Sequence, residues 1–186
     1  MDYQQAWQER RWLGLLLTRP RPGHPQYPPA YHYALTSVLS RPNPHRAVAW
    51  LNFGYLMILI LASAWIAGQL GGAWPAAATL IIVGLSPGIL FEYREAFVDL
   101  SLAAWVTLAY AFLIQSKFYE RRAGSAALGF FAALALMSKW AAALYFVPCF
   151  LAGLKADRRR NLALAIAIAA VLCAPWYVLN GVTMIP

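Results

Sequence analysis

Charge is what this 186-residue sequence has least of. Asp, Glu, Lys and Arg together make up 12% of it, only seven residues are acidic, and 61% are hydrophobic. Between Ala47 and Ser116 the only charged side chains are Glu92, Arg94, Glu95 and Asp99. A soluble domain cannot solvate seventy residues with four charges, so an ordinary water-soluble fold is excluded. Cysteine is nearly absent: Cys149 and Cys173 lie deep in apolar runs and read as small hydrophobes, not as a disulfide. The three histidines share no metal-ligand spacing. The polar N-terminus, with Leu13–Leu17 too short for an h-region, reads as no signal peptide. The net charge of +8 is not gathered on one face but sits between apolar runs, which argues against a nucleic-acid partner.

What is present is a polar leader followed by apolar spans. Residues 1–46 carry seven of the twelve prolines. Asp2–Thr18 reads as a helix lying at the interface, with Tyr3, Trp7, Leu13 and Leu17 on one side. The prolines from Pro20 to Pro29 forbid helix, and Pro29–Leu39 reads as a second short one. The fold expected is an all-α, polytopic membrane bundle. Residues 1–46 form an external, Pro-rich loop and residues 47–186 a bundle of about six helices, at 47–68, 75–90, 98–116, 125–138, 140–154 and 162–178. Gly71-Gly72 with Pro75 punctuates the first two, and Trp176 and Tyr177 read as interfacial anchors of the last.

Topology follows from basic residues beside the spans. Lys117, Arg121 and Arg122 form one cluster, and Lys155, Arg158, Arg159 and Arg160 another. Both belong on the cytoplasmic side, which requires an even number of crossings between them. Ser125–Leu154 therefore reads as two short helices turning at Lys139, on the external side. Parity places the Phe91–Asp99 loop and residues 1–46 outside as well, although six arginines in the leader fit that side poorly.

The unusual polar residues then share one face. Glu92, Glu95 and Asp99 are three of the seven acids, and Glu95 and Asp99, four apart, share a helix face. Lys139 reads as a lone ammonium at a helix turn; with Asp2, His24, Tyr27 and His32 these residues would line an external polar cavity. Each also has a plain reading. Arg94 with Glu95 or Asp99 equally makes an interfacial ion pair, Lys139 equally snorkels to headgroups, and the Trp and Tyr residues are mostly an interfacial belt. The basic clusters read as topology signals and lipid-phosphate contacts.

The order of these signals resembles the GT-C superfamily of polyprenyl-phosphate-sugar glycosyltransferases, in the branch of protein O-mannosyltransferases and the aminoarabinose transferase of lipid A. Asp2-Tyr3-Gln4-Gln5-Ala6 looks like the start of that family's first external loop. Tyr27-Pro28-Pro29 resembles its Pro-Pro motif, and Arg46 its arginine before the next span. Ser86-Pro87-Gly88 through Tyr93-Arg94 to Asp99 resembles its "SP…R…D" stretch. Gly129 through Leu134-Ala135-Leu136-Met137-Ser138-Lys139 resembles "GLALLTK", and Pro175-Trp176-Tyr177 resembles "PWY".

The resemblance implies transfer of a sugar from a polyprenyl-phosphate donor to a hydroxyl of a glycan, lipid or protein, at the external face of the inner (plasma) membrane. By position it makes Asp2 the catalytic base, Arg94 and Lys139 the donor-phosphate cations, and Tyr27, Glu95 and Asp99 the residues shaping the site. It names no metal ligand or cofactor and leaves a divalent cation open. The family's preceding helix, its later spans and its second acid beside the base have no counterpart here, where Tyr3 follows Asp2. The expectation is therefore an N- and C-terminally truncated transferase or fragment. The alternative is a non-catalytic subunit that keeps the scaffold and packs with other membrane subunits. A small transporter is disfavoured by the lack of inverted repeats.

Overall fold

The computed structural model of the protein describes residues 28–39, 42–94 and 97–180. Every regular element among them is a helix: α1 (Ala30–Leu39), α2 (Pro44–Gly71), α3 (Ala73–Gly84), α4 (Pro87–Arg94), α5 (Val98–Gln115), α6 (Arg122–Leu136), α7 (Ala142–Tyr145), α8 (Val147–Ala152) and α9 (Arg159–Asn180). Three are long and apolar enough to cross a membrane, namely α2, α5 and α9; a fourth is added if α3 and α4, bent by 56°, count as one broken span. At 1.5 Å per residue α2 and α9 reach beyond the roughly 30 Å hydrocarbon thickness and α5 comes close to it.

Local chemistry sets the breaks. Asn43 caps α2 by accepting a hydrogen bond from the Arg46 amide at 3.2 Å, and Pro44 occupies the first turn, where its missing N–H is harmless. The helix stops at Gly72, whose φ of 84° suits glycine alone, and a Cβ at Gly71 would strike the Pro75 ring at 2.7 Å. Between α3 and α4, Pro87 removes a donor and restricts Ser86, so the run bends there.

After the leader helix α1, the chain passes back and forth six times. Ring contacts pair Tyr55 with Trp105 and Trp65 with Phe112, so α2 and α5 run parallel, with α3 and α4 as the return leg. The segment Ser125–Leu154 goes out along α6 and comes back through α7 and α8: Lys139 meets the start of α5, whereas the Cys149 carbonyl accepts from Tyr119 at the opposite end. The return leg is broken at Phe146, ahead of Pro148. The chain then turns again, and α9 runs parallel to α6. One end of the bundle thus gathers α1, the start of α5, Lys139 and the end of α9. The other gathers the α5–α6 and α8–α9 connections.

Between the ends the core is aromatic and small. Trp105 stacks on Phe131 at 5.9 Å, and Phe131 on Phe112 at 5.3 Å. Several Trp and Tyr residues expected in an interfacial belt therefore sit between helices instead. Trp176 is one of them, buried under α6, and the Tyr177 hydroxyl donates to the Leu136 carbonyl at 2.7 Å. Of the expected interfacial anchors of the last span, Trp176 is thus buried and Tyr177 half-buried with its hydroxyl on α6, because the end of α6 leaves a carbonyl that needs a donor.

The α6–α9 seam closes at Gly129, where a Cβ would overlap the Ala165 carbonyl oxygen and come within 2.8 Å of its Cα. These are backbone atoms that cannot swing aside. Gly129→Val is therefore expected to destabilise the bundle by about 1–3 kcal/mol through forced separation of the two helices. Gly54→Ala, with nothing within 4 Å of the new methyl group, is expected to be neutral or mildly stabilising. Thermal unfolding of the two variants in detergent measures the difference.

Candidate functional site

The polar residues of the α1 end are placed by the way α6 stops. Its last turn loosens, so several of its carbonyls turn to other donors. The Ser138 hydroxyl donates to Leu134 at 2.8 Å, and the Ser138 and Lys139 amides donate to Ala135 at 3.0 Å. Tyr177 donates to Leu136, and the Ala30 amide donates to Met137 at 2.8 Å. With these bonds made, the backbone at Lys139 is fixed from three directions.

From that turn Lys139 Nζ reaches Asp99 Oδ1 at 2.7 Å, forty positions away in sequence. The lysine expected as a lone ammonium is therefore paired. Asp99 lies in the first turn of α5, where a carboxylate also faces the positive end of the helix dipole. The two side chains are 26% and 49% exposed, so the pair contributes only about 0.2–1 kcal/mol to stability. Its position matters more than that energy. Asp99 and Ala103 border two open cavities at once: one of about 330 Å³ with Leu102, Val106, Thr107 and Tyr145, and one of about 230 Å³ with Leu59, Gly88, Ile89 and Glu92.

Of the other expected site residues, Arg94 closes α4 at this same end. Asp2, Tyr27 and Glu95 lie outside the described residues, as do His24 and the expected Asp2–Thr18 helix. Pro28 and Pro29, the pair after Tyr27, are almost fully buried, and the next amide is the one that donates to Met137, two residues before Lys139. The leader segment thus joins the bundle beside the Asp99–Lys139 pair.

Sequence reasoning missed one participant. Asn52 is fully buried in α2; it accepts from the Tyr31 hydroxyl at 3.3 Å and donates to the Tyr93 carbonyl at 3.0 Å, tying α1, α2 and α4 together next to Arg94. Its lone amide within an apolar span was the available signal. Glu92 turns a buried Oε2 with no hydrogen-bond partner among the described residues, in a side chain that lines the smaller cavity with Asp99. Glu92 and Asp99 are separated by a helix break, so no helical spacing links them. Among the described residues no group of three or more His, Cys, Asp or Glu side chains converges as a metal site.

The leader helix is held by burial. Tyr31 is buried, and burial followed by the neighbouring Tyr55 pushes its phenol up to about 12, keeping it a neutral donor to Asn52. Burial likewise lowers the His32 imidazole below its ordinary 6.5. No family model matches the chain, and no curated protein or solved structure matches it.

A depressed histidine has a definite pH signature. The unfolded chain binds the proton more readily, so the stability of α1 docking is complete above pH 6.5 and declines as pH falls below it towards the lower folded value. Hydrogen exchange of the α1 amides is expected to accelerate on acidification through that window. His32→Gln is expected to remove most of the pH dependence.

Proposed function

We propose that this chain is a membrane glycosyltransferase, or a core piece of one, that moves a sugar from a polyprenyl-phosphate donor to an acceptor hydroxyl at the α1 end of the bundle. The reading keeps the resemblance to the GT-C superfamily. One observation carries it: Asp99 and Lys139, from two motifs forty residues apart, meet at 2.7 Å beside open cavities. Pairing of these two residues was not required by either motif alone.

In this reading Asp99 holds the Lys139 ammonium at the membrane boundary, and Arg94 supplies a second cation. A phosphate entering there gains charge-assisted hydrogen bonds from both. Asp2 takes the proton of the acceptor hydroxyl, whose oxygen attacks the anomeric carbon. The bond from that carbon to the phosphate oxygen breaks with inversion, and polyprenyl phosphate leaves with its charge stabilised by the same cations. Tyr27 and Glu95 shape the entrance.

Orientation follows the basic residues. The opposite end of the bundle carries Lys117, Arg121, Arg122, Lys155, Arg158, Arg159 and Arg160 against Glu120 and Asp157. The positive-inside rule assigns that end to the cytoplasm, and so the site to the external or periplasmic face of the inner (plasma) membrane.

The alternative, a non-catalytic subunit in a larger membrane complex, is favoured by α3, which buries none of its residues and leaves Trp74 87% exposed. Sugar transfer from a polyprenyl-phosphate donor separates the two readings. Lys139→Ala is expected to lower transfer by about a hundredfold or more, as loss of a charge-stabilising donor does. Asp2→Ala is expected to abolish it, with membrane insertion intact for both. Transfer indifferent to both substitutions, together with stable co-purification of partner chains, would favour the subunit.

A further inference from the structure

We propose that the groove between the first turns of α6 and α9, at the basic end of the bundle, is a binding site for an anionic phospholipid of the adjoining leaflet. The groove has a volume of about 270 Å³ and is lined by Arg122, Arg160, Asn161, Ala163, Leu164 and Ala167. The proposal rests on the membrane-spanning reading of the long helices and is independent of sugar transfer.

The five arginines at this end divide by what their side chains hold. Arg158 makes an ion pair with Glu120 at 3.2 Å and another with Asp157 at 3.8 Å, and Arg159 donates to the Leu154 carbonyl at 3.0 Å. Those two fasten loops. The side chains of Arg121, Arg122 and Arg160 make no ion pair or hydrogen bond with any described residue, and of these three Arg122 and Arg160 line the groove. Two guanidinium groups lining one cleft can each give charge-assisted hydrogen bonds to a phosphodiester. Because α6 and α9 run parallel, both present the positive ends of their dipoles here and add to the attraction.

The scaffold of the groove is fixed. The Asn161 side-chain amide donates to the Tyr119 carbonyl at 2.6 Å, which locks the start of α9 to the α5–α6 connection. That connection holds Lys117, Phe118 and Tyr119 at φ of 51°, 55° and 75°, a left-handed run that non-glycine residues resist. It persists because Tyr119 is buried, with its amide bonded to Ser116 Oγ and its hydroxyl to the Cys149 carbonyl, both at 3.0 Å. Arg122 follows from this anchored turn.

Apolar residues decide that the anion is a lipid. Below Arg160, Ala163, Leu164 and Ala167 follow at helical spacing on the same face of α9, and they offer an acyl chain contact but give a free phosphate or a nucleotide base nothing to bond. The charge sits at the rim and the apolar wall continues into the membrane-spanning part of the helix, as an amphiphile requires.

Native mass spectrometry of the full chain in detergent, with phosphatidylglycerol or phosphatidylcholine added, tests this. The wild type is expected to retain phosphatidylglycerol in preference to phosphatidylcholine. The double variant Arg122→Gln with Arg160→Gln is expected to lose about tenfold in that retention, as removal of charge-assisted bonds predicts. Lys155→Gln, in the same cluster but outside the groove, should leave it unchanged, whereas Ala167→Trp should lower it with both arginines present. Unaltered retention in the double variant would overturn the site, and so would an equal loss in Lys155→Gln, which would mean diffuse charge. Displacement by millimolar inorganic phosphate with no effect of Ala167→Trp would overturn the lipid assignment in favour of a free anion.

Discussion

The end of α6 is the constraint on which the α1 end of the molecule depends. A helix that stops within a packed bundle strands its last carbonyls, and each one left buried and unmet costs about 1–3 kcal/mol. Here they are met by a serine from the same turn, a tyrosine from α9 and an amide from the leader segment. Meeting that demand binds together three parts of the chain that share no sequence neighbourhood. The α6 turn and the leader cannot be shifted independently, and Lys139 stands at their junction. Its approach to Asp99 is therefore a consequence of backbone accounting, not of a strong attraction between two half-exposed charges.

The rest of the bundle transmits this rigidity. Apolar helices in lipid gain little from hydrophobic burial against one another, so close backbone approach and interhelical hydrogen bonds decide their packing. Gly129 against Ala165 supplies the first. Asn52, Tyr119 and Tyr177 supply the second, each bonding a carbonyl of another helix or connection. Stacked rings of Trp105, Phe131 and Phe112 fill the space between α5 and α6. The outward faces, above all of α3, are left apolar and uncovered, as helices facing lipid or a partner are.

Much of the helix layout was legible in the sequence because breakers act locally. Gly71-Gly72 and the Ser138-Lys139 turn each end a helix by their own backbone chemistry, and the Val98–Gln115 helix is the apolar run that the sequence displays. The break at Ser86-Pro87, by contrast, falls inside the stretch read as one helix at 75–90. Charge parity also anticipated that Ser125–Leu154 folds back on itself. What escaped was everything decided between helices. Trp176 and Tyr177 look like interfacial anchors in one dimension, and only with α6 beside them does the Tyr177 hydroxyl find its carbonyl. Asn52 stood in view as a lone amide in an apolar run, but its partners, at positions 31 and 93, are set by tertiary packing.

The two ends also treat cations differently, and the difference bears on selectivity. A lysine left unpaired at a membrane boundary is covered by whichever anionic headgroup diffuses past, because nothing opposes a single phosphate contact. Lys139 with Asp99 at 2.7 Å presents a higher threshold: an incoming phosphate must either share the ammonium with a carboxylate or bring enough additional contacts to offset the repulsion from it. A substrate that also fills the neighbouring cavities meets that condition, and a bulk lipid does not. At the opposite end Arg122 and Arg160 carry no such carboxylate, and their groove accepts an anion on charge and an apolar chain alone. A guarded cation suits a site that must choose its ligand. Unguarded arginines suit one that only has to hold the surrounding bilayer in register with the bundle.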